Sequence, residues 1–295
     1  MDPHLLRTFV AVAEHGSFSA AADHLGYTQS AVSQHIAALE HDLGTPLLRR
    51  RPVVPTPSGE RLLEHAGPIL LRLDAARADI RRTIADPPGT LTIAASPLAA
   101  ASRLAAALRE VRRTRPGTEV AVTVCGREAV VQGVAAAEFD LGLVDGVAAP
   151  SDPLRLSDAG PVRTSAVAHE DLVAALPTDH PLAGRRGLAL NDLADARWID
   201  APDLGAPLST LRAATGSDAF RPALTYTGTD LQTLLTLVMA GHGLTVLPRS
   251  AATPVAAVPV TTPRLVHRIE LLHGHLDAPA GAALAAALAG SSDVE

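Results

Sequence analysis

The chain has 295 residues, of which 47% are apolar and 19% are charged, a composition typical of a folded protein of two or three domains. No apolar run approaches the roughly 20 residues of a membrane helix, and charges interrupt the first fourteen residues, so we expect no membrane segment, no secretory signal and a cytoplasmic location. All 25 basic residues are arginine, the only cysteine is Cys125, and the net charge is −6. These counts exclude lysine Schiff-base catalysis, a P-loop and an intramolecular disulfide, and any contact with nucleic acid must depend on local clusters of charge.

The first 57 residues have the pattern of three short helices. Gly16 and Ser17 end one helix and cap the next, Gly26 ends the second helix, and Thr28 caps the third. Apolar residues of the third helix recur at steps of four, three and four, which predicts a buried stripe of Val32, Ile36, Leu39 and Leu43. Its polar residues at other positions are Gln29, Ser30, Ser33 and Gln34. A helix-turn-helix followed by a recognition helix is therefore predicted.

The segment from Pro46 to Pro57 is rich in proline and predicts a short β wing. It contains the consecutive residues Arg49, Arg50 and Arg51. This triplet is a candidate contact for phosphates, and the alternative interpretation is a solvated run of charge.

A long helix is predicted from Ser58 to about Ile84, with a kink at Pro68. Its apolar residues recur in a near-heptad pattern at Leu62, Ala66, Ile69, Leu73, Ala76, Ile80 and Ile84. A lone helix of this length needs a partner, so we expect it to pair two chains into a homodimer. Asp86 to Gly89 then predict a hinge.

Beyond residue 89, short apolar runs alternate with helical stretches. The strand candidates are Leu91 to Ala95, Val120 to Cys125, Leu141 to Val144, Leu172 to Leu176 and Leu244 to Leu247. The helix candidates are Pro97 to Arg115, Glu128 to Ala137 and Asp230 to Ala240. This order predicts parallel sheets built from βαβ units. A helix start at Pro97 directly after Ser96 would place free N–H groups where open α/β sheets bind ligands, and these groups favour an anion.

The segment from Ser17 to Leu48 resembles the helix-turn-helix of LysR-type transcriptional regulators. The resemblance is carried by Ala-Ala before a Leu-Gly turn, by TQSAVSQ at residues 28–34, and by TPSGE at residues 56–60. His180-Pro181-Leu182 and VMAGHGLTVLP at residues 238–248 extend it over nearly the whole chain. Leu48 stands where the family usually has Phe, and the wing is about two residues shorter than is common, so the resemblance does not carry minor-groove insertion to this wing.

The resemblance implies an α/β protein with an all-α, winged-helix N-terminal domain. The expected order is a winged helix-turn-helix (residues 1–57), a linker and dimerisation helix with a hinge (58–88), and an effector-binding domain (89–295). That last domain is expected to have two lobes like a type II periplasmic binding protein, with lobe 1 formed by residues 89–161 and 267–295 and lobe 2 by residues 162–266. Homodimers that associate further into homotetramers are also implied, and contact with RNA polymerase is left open.

The expected partner is double-stranded promoter DNA. Gln29 and Gln34 are candidates for reading base edges, because an amide can pair bidentately with adenine, whereas the short Ser30 and Ser33 suit phosphates. The remaining DNA-binding candidates are Ser17, Thr28 and the triplet Arg49, Arg50 and Arg51. Taken alone, the row of polar residues on this helix could also be an ordinary solvent-exposed face without a function.

A small effector, anionic and possibly a carboxylate, is expected between the two lobes. The resemblance implies Ser96, Arg127 and Thr229 as lining residues, and Asp145 and Asp200 are added because they stand at strand ends. Ser96 could instead be a plain helix cap, and Arg127 could be a surface residue.

The pattern predicts no enzyme, no cofactor and no metal site. His169, Glu170 and Asp171 are adjacent and so lack the H-E-x-x-H spacing, and no G-x-S-x-G occurs. The competing interpretation is a solute-binding or enzymatic α/β protein with an unrelated N-terminal interaction module. Dimer-dependent binding to a promoter duplex separates the two.

Overall fold

A computed structural model describes residues 1–84, 90–100, 102–156, 162–274, 276 and 279–289. The chain divides into two compact units, Met1–Arg81 and Arg82–Glu295. The N-terminal elements are α1 (Pro3–His15), α2 (Phe18–Leu25), α3 (Gln29–Leu43), β1 (Leu48–Arg50), β2 (Val53–Pro55) and α4 (Pro57–Ile84).

The predicted caps of the first three helices are confirmed. The side chains of Ser17 and Thr28 accept hydrogen bonds from N–H groups three residues further on. Left-handed glycines end the helices at Gly16, Gly26 and Gly44. The predicted stripe of α3 is buried at Val32, Ile36 and Leu39, where it joins Phe9 and Phe18 in one core, whereas Leu43 is 40% exposed.

The predicted wing is confirmed as an antiparallel pair of strands, β1 and β2. Glu40 of α3 holds the start of this wing, because its Oε1 accepts hydrogen bonds from the N–H groups of Leu47 (2.8 Å) and Leu48 (3.2 Å). The backbone after the wing passes close to Leu47, and a Cβ at Gly59 would lie 2.2 Å from the Leu47 carbonyl oxygen. The wing is therefore fixed to α3 and to the start of α4.

The predicted long helix is confirmed as α4, and Pro68 lies inside it without ending it. Its N-terminal part packs within its own chain, since Ala66 is fully buried and Leu62 contacts the same core. Further along, Ile69 is 39% exposed and Ile80 is 61% exposed. The near-heptad stripe thus packs into the core of its own chain in the first part of α4, whereas in the second part its apolar side chains are exposed.

The second unit is an α/β structure. Its elements are β3 (Thr90–Ala95), α5 (Ser102–Thr114), β4 (Glu119–Val124), α6 (Arg127–Ala135), β5 (Leu141–Ala148), β6 (Arg163–Leu176), β7 (Leu188–Ala189), β8 (Trp198–Asp200), α7 (Leu208–Thr215), β9 (Pro222–Thr225), α8 (Leu231–Met239), β10 (Thr245–Pro248), β11 (Ala256–Thr262), β12 (Val266–His273) and α9 (Pro279–Ala289). Short 3-10 helices cover Leu190–Leu193 and Arg249–Ala251.

The sheet is mixed, so the expectation of parallel sheets is only partly right. Strands β4, β3 and β5 are parallel, but β12 lies between β5 and β6 and is antiparallel to both. The reason is that β12 brings the chain back from the second lobe and therefore enters the first-lobe sheet from its opposite end. Strand β6 belongs to both lobes, because residues 163–171 pair with β12 while residues 172–176 pair with β10 and β11.

The two faces of the first-lobe sheet have separate cores. Leu143 and Leu271 face α5 and α9, whereas Val144 and Leu272 face Val130 and its neighbours on α6. This alternation follows from the opposite directions of successive side chains along a strand. The alternation also determines which side chains near the ends of the strands lie on the same face and can contact one another.

The predicted helix start at Pro97 is wrong. Helix α5 begins at Ser102, and residues 97–100 form turns in which the N–H groups of Ala99 and Ala100 donate to the Ser96 carbonyl oxygen. The Ser96 hydroxyl is engaged with a carboxylate from β5 and so does not cap a helix. The helix N-terminus that would favour an anion is therefore not at Pro97.

Candidate functional site

The first candidate surface is the N-terminal part of α3. Gln29, Ser30 and Gln34 are exposed and Ser33 is half-buried, while the opposite face of the same helix is in the core. An exposed helix that carries polar side chains at its N-terminus has the form required to enter a DNA major groove.

Ser17 and Thr28, two further predicted DNA contacts, cap the helices α2 and α3. Their Oγ atoms accept hydrogen bonds from the N–H groups of Ala20 (3.3 Å) and Ala31 (3.2 Å), respectively. A hydroxyl has one donor and two acceptor positions, so each can still donate its proton to a phosphate.

The three arginines of the wing differ from one another. The guanidinium of Arg50 lies 4.8 Å from the centre of the Phe18 ring, and its Nη2 lies 3.8 Å from Glu40 Oε2. Arg49 and Arg51 are exposed. Arg50 is therefore partly engaged in holding the wing, through Phe18 and Glu40, a role that the sequence pattern did not reveal.

The second candidate site is a buried polar cluster at the ends of β3 and β5. Ser96 donates a hydrogen bond from its hydroxyl to Asp145 Oδ1, and the Asp145 N–H donates to Ser96 Oγ at 2.9 Å. Asp145 Oδ2 lies 2.9 Å from Nε2 of His267, which belongs to β12. Two predicted residues thus meet, and His267 joins them although no local pattern marked it.

Asp145 is ionised in this cluster. Burial alone would raise its pKa, but the hydrogen bond and charge of His267, the charge of Arg127 and the hydrogen bond of Ser96 together lower that pKa below its ordinary value. Because the carboxylate accepts the His267 bond, Nε2 of His267 carries the proton.

Arg127 connects this cluster to the start of α6. Its Nη2 lies 3.9 Å from Asp145 Oδ2, and its backbone N–H donates to Asp203 Oδ1 at 3.2 Å. Asp203 follows β8 in the second lobe, so a carboxylate of one lobe caps a helix of the other. A Cβ at Gly126 would lie only 2.8 Å from Asp203 Oδ1, which explains the glycine at this close approach.

Asp200 and Thr229 are not part of the hydrogen-bonded cluster of Ser96, Asp145 and Arg127. Asp200 is half-buried, and its Oδ1 accepts a hydrogen bond from the Leu208 N–H at the start of α7. Thr229 is exposed in the bend before α8. Within the part of the chain that the structure describes, neither forms a hydrogen bond or ion pair with Ser96, Arg127 or Asp145.

Cys125 stands two residues before the start of α6 and is half-buried. Burial raises the pKa of its thiol, and the nearby negative charge of Asp203 raises it further. The thiol is therefore protonated at neutral pH and is a weak nucleophile.

Among the described residues, no group of three or more His, Cys, Asp or Glu side chains is arranged to hold a metal ion. None of the described helices has the length and apolar character to cross a membrane.

Two family models match the chain. Residues 3–60 match the bacterial regulatory helix-turn-helix protein, lysR family, and residues 85–289 match the LysR substrate binding domain. Because the matches cover both units, they support a DNA-binding regulator over the competing solute-binding or enzymatic interpretation.

Individual proteins agree with these matches. The chain is 29% identical over 272 residues to the transcriptional regulator CysL of Bacillus subtilis, which covers 91% of this chain and 85% of CysL. It is 33% identical over 255 residues to a probable hydrogen peroxide-inducible genes activator of Mycobacterium avium, which covers 85% and 79%. Among solved structures, full-length BenM has a TM-score of 0.54 at 25% identity, covering 99% and 96% of the two chains.

Proposed function

Because this chain belongs to the LysR family of transcriptional regulators, we propose that it recognises promoter DNA through α3 and the wing and that a small effector bound between its lobes controls this activity. Membership makes it a DNA-binding regulator with an effector-binding domain rather than an enzyme. Its place of action is the cytoplasm, where promoters are. The observation that carries the proposal is the exposed polar N-terminus of α3 on a buried apolar stripe, within the region that matches the family's helix-turn-helix.

The side chains of this surface have different roles in the proposal. Gln29 and Gln34 read base edges, while Ser30 and Ser33 contact phosphates. Ser17 and Thr28 cap their helices and donate their hydroxyl protons to the backbone of the duplex. Arg49 and Arg51 supply the sequence-independent charge, and Arg50 holds the wing while its exposed part adds to that charge.

Oligomerisation completes the DNA-binding unit. Ile69 and Ile80 of α4 are exposed in the single chain, and burial of such side chains between two copies is favourable. We propose that α4 pairs two chains, so that two recognition helices face two half-sites. Pairing of effector domains into tetramers and contact with RNA polymerase remain further proposals.

The effector site is proposed at the start of α6, beside Ser96, Asp145 and Arg127. A helix N-terminus next to a guanidinium suits a carboxylate. That position already holds the carboxylate of Asp203 from the second lobe. An anionic effector would therefore replace Asp203 and release one contact between the lobes, and this differential binding is what allows a ligand to shift their arrangement. Thr229 and Asp200 are retained as second-lobe lining residues.

The proposal is tested by footprinting the full chain on the DNA beside its own gene. A protected segment with two half-sites about one or two helical turns apart is expected, because a symmetric dimer contacts two successive major-groove faces. Protection should disappear in a duplex in which both half-sites are scrambled. Absence of any protected segment on this and on genomic fragments would contradict the proposed function.

A further inference from the structure

Tyr27 lies between the two helices of the helix-turn-helix, directly before the Thr28 cap of α3, and is 44% exposed. Its backbone is fixed, because the Tyr27 N–H donates to the Ala22 carbonyl oxygen at 2.9 Å and the left-handed Gly26 ends α2 immediately before it. Among the described residues, its hydroxyl group has no hydrogen-bond partner. An exposed donor therefore stands at the start of the recognition helix and is available to a partner molecule.

The ring of Tyr27 is held by His35 of α3. The two rings are in edge contact, with centroids 5.4 Å apart and planes at 85°. His35 is in turn bonded to α1, because its Nδ1 lies 3.0 Å from Oγ1 of the fully buried Thr8. Thr8 donates its one hydroxyl proton to the His4 carbonyl oxygen at 2.9 Å, so Nδ1 of His35 must donate to Thr8. A neutral and a charged imidazole can both make this bond, which fixes the ring against which Tyr27 packs.

The position of His35 shows on which side of α3 Tyr27 lies. Successive residues of an α-helix are about 100° apart around its axis, which places Glu40 and His35 roughly 140° apart. The exposed Ser30 and Gln34 lie between these two directions. Because Glu40 holds the wing, the wing lies on one side of the exposed face of α3 and Tyr27 lies on the other.

A recognition helix in the major groove lies between the two phosphate backbones that border the groove. In the proposed complex the wing faces one of these backbones, and Tyr27 then faces the other. Tyrosine hydroxyl groups are among the side-chain donors that bind phosphate oxygens. Because His35 already holds the ring of Tyr27, little side-chain freedom is lost when the hydroxyl group binds.

We infer that Tyr27 is a further DNA contact, whose hydroxyl group donates to a phosphate on the side of α3 away from the wing, and that His35 positions its ring. The inference rests on the proposed function, because it requires α3 in the major groove. It adds an uncharged contact on the side of the groove opposite Arg49 and Arg51.

The first experiment compares Tyr27→Phe with the wild-type chain on the footprinted operator and on a scrambled duplex, over a series of salt concentrations. Loss of one hydrogen bond to a charged group should weaken binding to both duplexes about tenfold. The slope of log affinity against log salt should stay the same, because a hydroxyl group replaces no counterion. Tyr226→Phe is the matched control and should bind like the wild type, since it removes the chain's other tyrosine hydroxyl group from a position outside the DNA-binding unit.

Four outcomes would overturn the inference while the proposed function stands. These are an unchanged affinity of Tyr27→Phe, a loss confined to the operator, a smaller salt slope, and an equal loss in Tyr226→Phe. If the wild-type chain binds neither duplex, the proposed function fails and the inference fails with it, so the two failures are distinguishable.

A second experiment locates the contact by replacing single phosphates of the operator with uncharged methylphosphonates. At the phosphate that Tyr27 contacts, the replacement should weaken binding of the wild-type chain but not of Tyr27→Phe. That phosphate should lie on the opposite side of the major groove from the phosphates that respond in the same way to Arg49→Ala. If no phosphate is coupled to Tyr27, or if the coupled phosphate lies on the side of Arg49, the placement is wrong.

A double-mutant cycle tests the role of His35. His35→Ala should weaken operator binding about threefold when Tyr27 is present, because it removes the ring contact that holds the hydroxyl group. In Tyr27→Phe the same change should have almost no effect, because the contact that His35 positions is already lost. An equal loss in both chains, each shown to be folded by circular dichroism, would contradict positioning through Tyr27.

Discussion

Replacement of Asp203 with Ala tests whether a carboxylate from the second lobe occupies the place of the effector. In the structure, Asp203 Oδ1 accepts the Arg127 N–H at 3.2 Å, and Arg127 also approaches Asp145. Loss of a side-chain acceptor at a helix N-terminus costs about 1 kcal/mol. A ligand carboxylate that no longer has to displace this acceptor should therefore bind roughly fivefold more tightly.

The assay is an acetate titration of the ¹⁵N-labelled chain, followed at the Arg127 amide by NMR, with acetamide as the uncharged probe. Asp203→Ala should lower the Kd for acetate and leave that for acetamide almost unchanged. Asp218→Ala is the matched control, because Asp218 is an exposed aspartate of the same lobe and its removal changes the net charge equally. Equal acetate affinities in the wild-type chain and Asp203→Ala, or an equal gain in Asp218→Ala, would refute the displacement of Asp203.

Three further predictions concern the wing, the long helix and the buried carboxylate. Arg49→Ala should weaken binding to every duplex and reduce the slope of log affinity against log salt by about 0.9. Arg50→Ala should have the same effect and should also lower the melting temperature, because the side chain loses Phe18 and Glu40 as partners. Equal melting temperatures of the two variants would contradict this distinction. Ile80→Asp should convert dimers to monomers in sedimentation measurements, and a fully dimeric variant would show that α4 pairs through other residues. Folding lowers the pKa of Asp145, so the ionised carboxylate stabilises the folded chain at pH values above 3.8, the ordinary pKa of an aspartate. This stabilisation is lost as the pH falls from 3.8 through the lower pKa of the folded chain. In urea unfolding between pH 6 and pH 3, the free energy of unfolding should therefore depend less on pH in Asp145→Asn than in the wild-type chain.

Local patterns predicted most of the DNA-binding unit, except the exposure of Leu43 and the contacts of Arg50. The helix ends at Gly16, Gly26 and Gly44, the caps at Ser17 and Thr28 and the apolar stripe of α3 depend on residues within a few positions of one another. Such short-range chemistry can be predicted without knowledge of the tertiary structure.

The effector-binding domain shows where prediction from the sequence fails. The apolar runs predict β3, β4 and β5, but the return of β12 between β5 and β6 depends on pairing across more than one hundred residues. The helix start after Ser96 failed for the same reason, because Ser-Pro suits a helix cap locally while Asp145, 49 residues away, takes the hydroxyl. His267 and Asp203 carry no local signal, and only the folded chain brings them to Asp145 and Arg127.

The central claim, that α3 reads DNA sequence, is tested most directly by comparing the affinity of the full-length chain for its footprinted operator with that for a scrambled duplex at the same salt concentration. We expect the operator to bind at least about a thousandfold more tightly. Gln29→Ala should reduce that ratio by roughly tenfold, since one bidentate base contact contributes about 1–3 kcal/mol of discrimination, while binding to the scrambled duplex stays the same. Equal affinities for operator and scrambled duplex, or an equal loss on both in Gln29→Ala, would contradict the account.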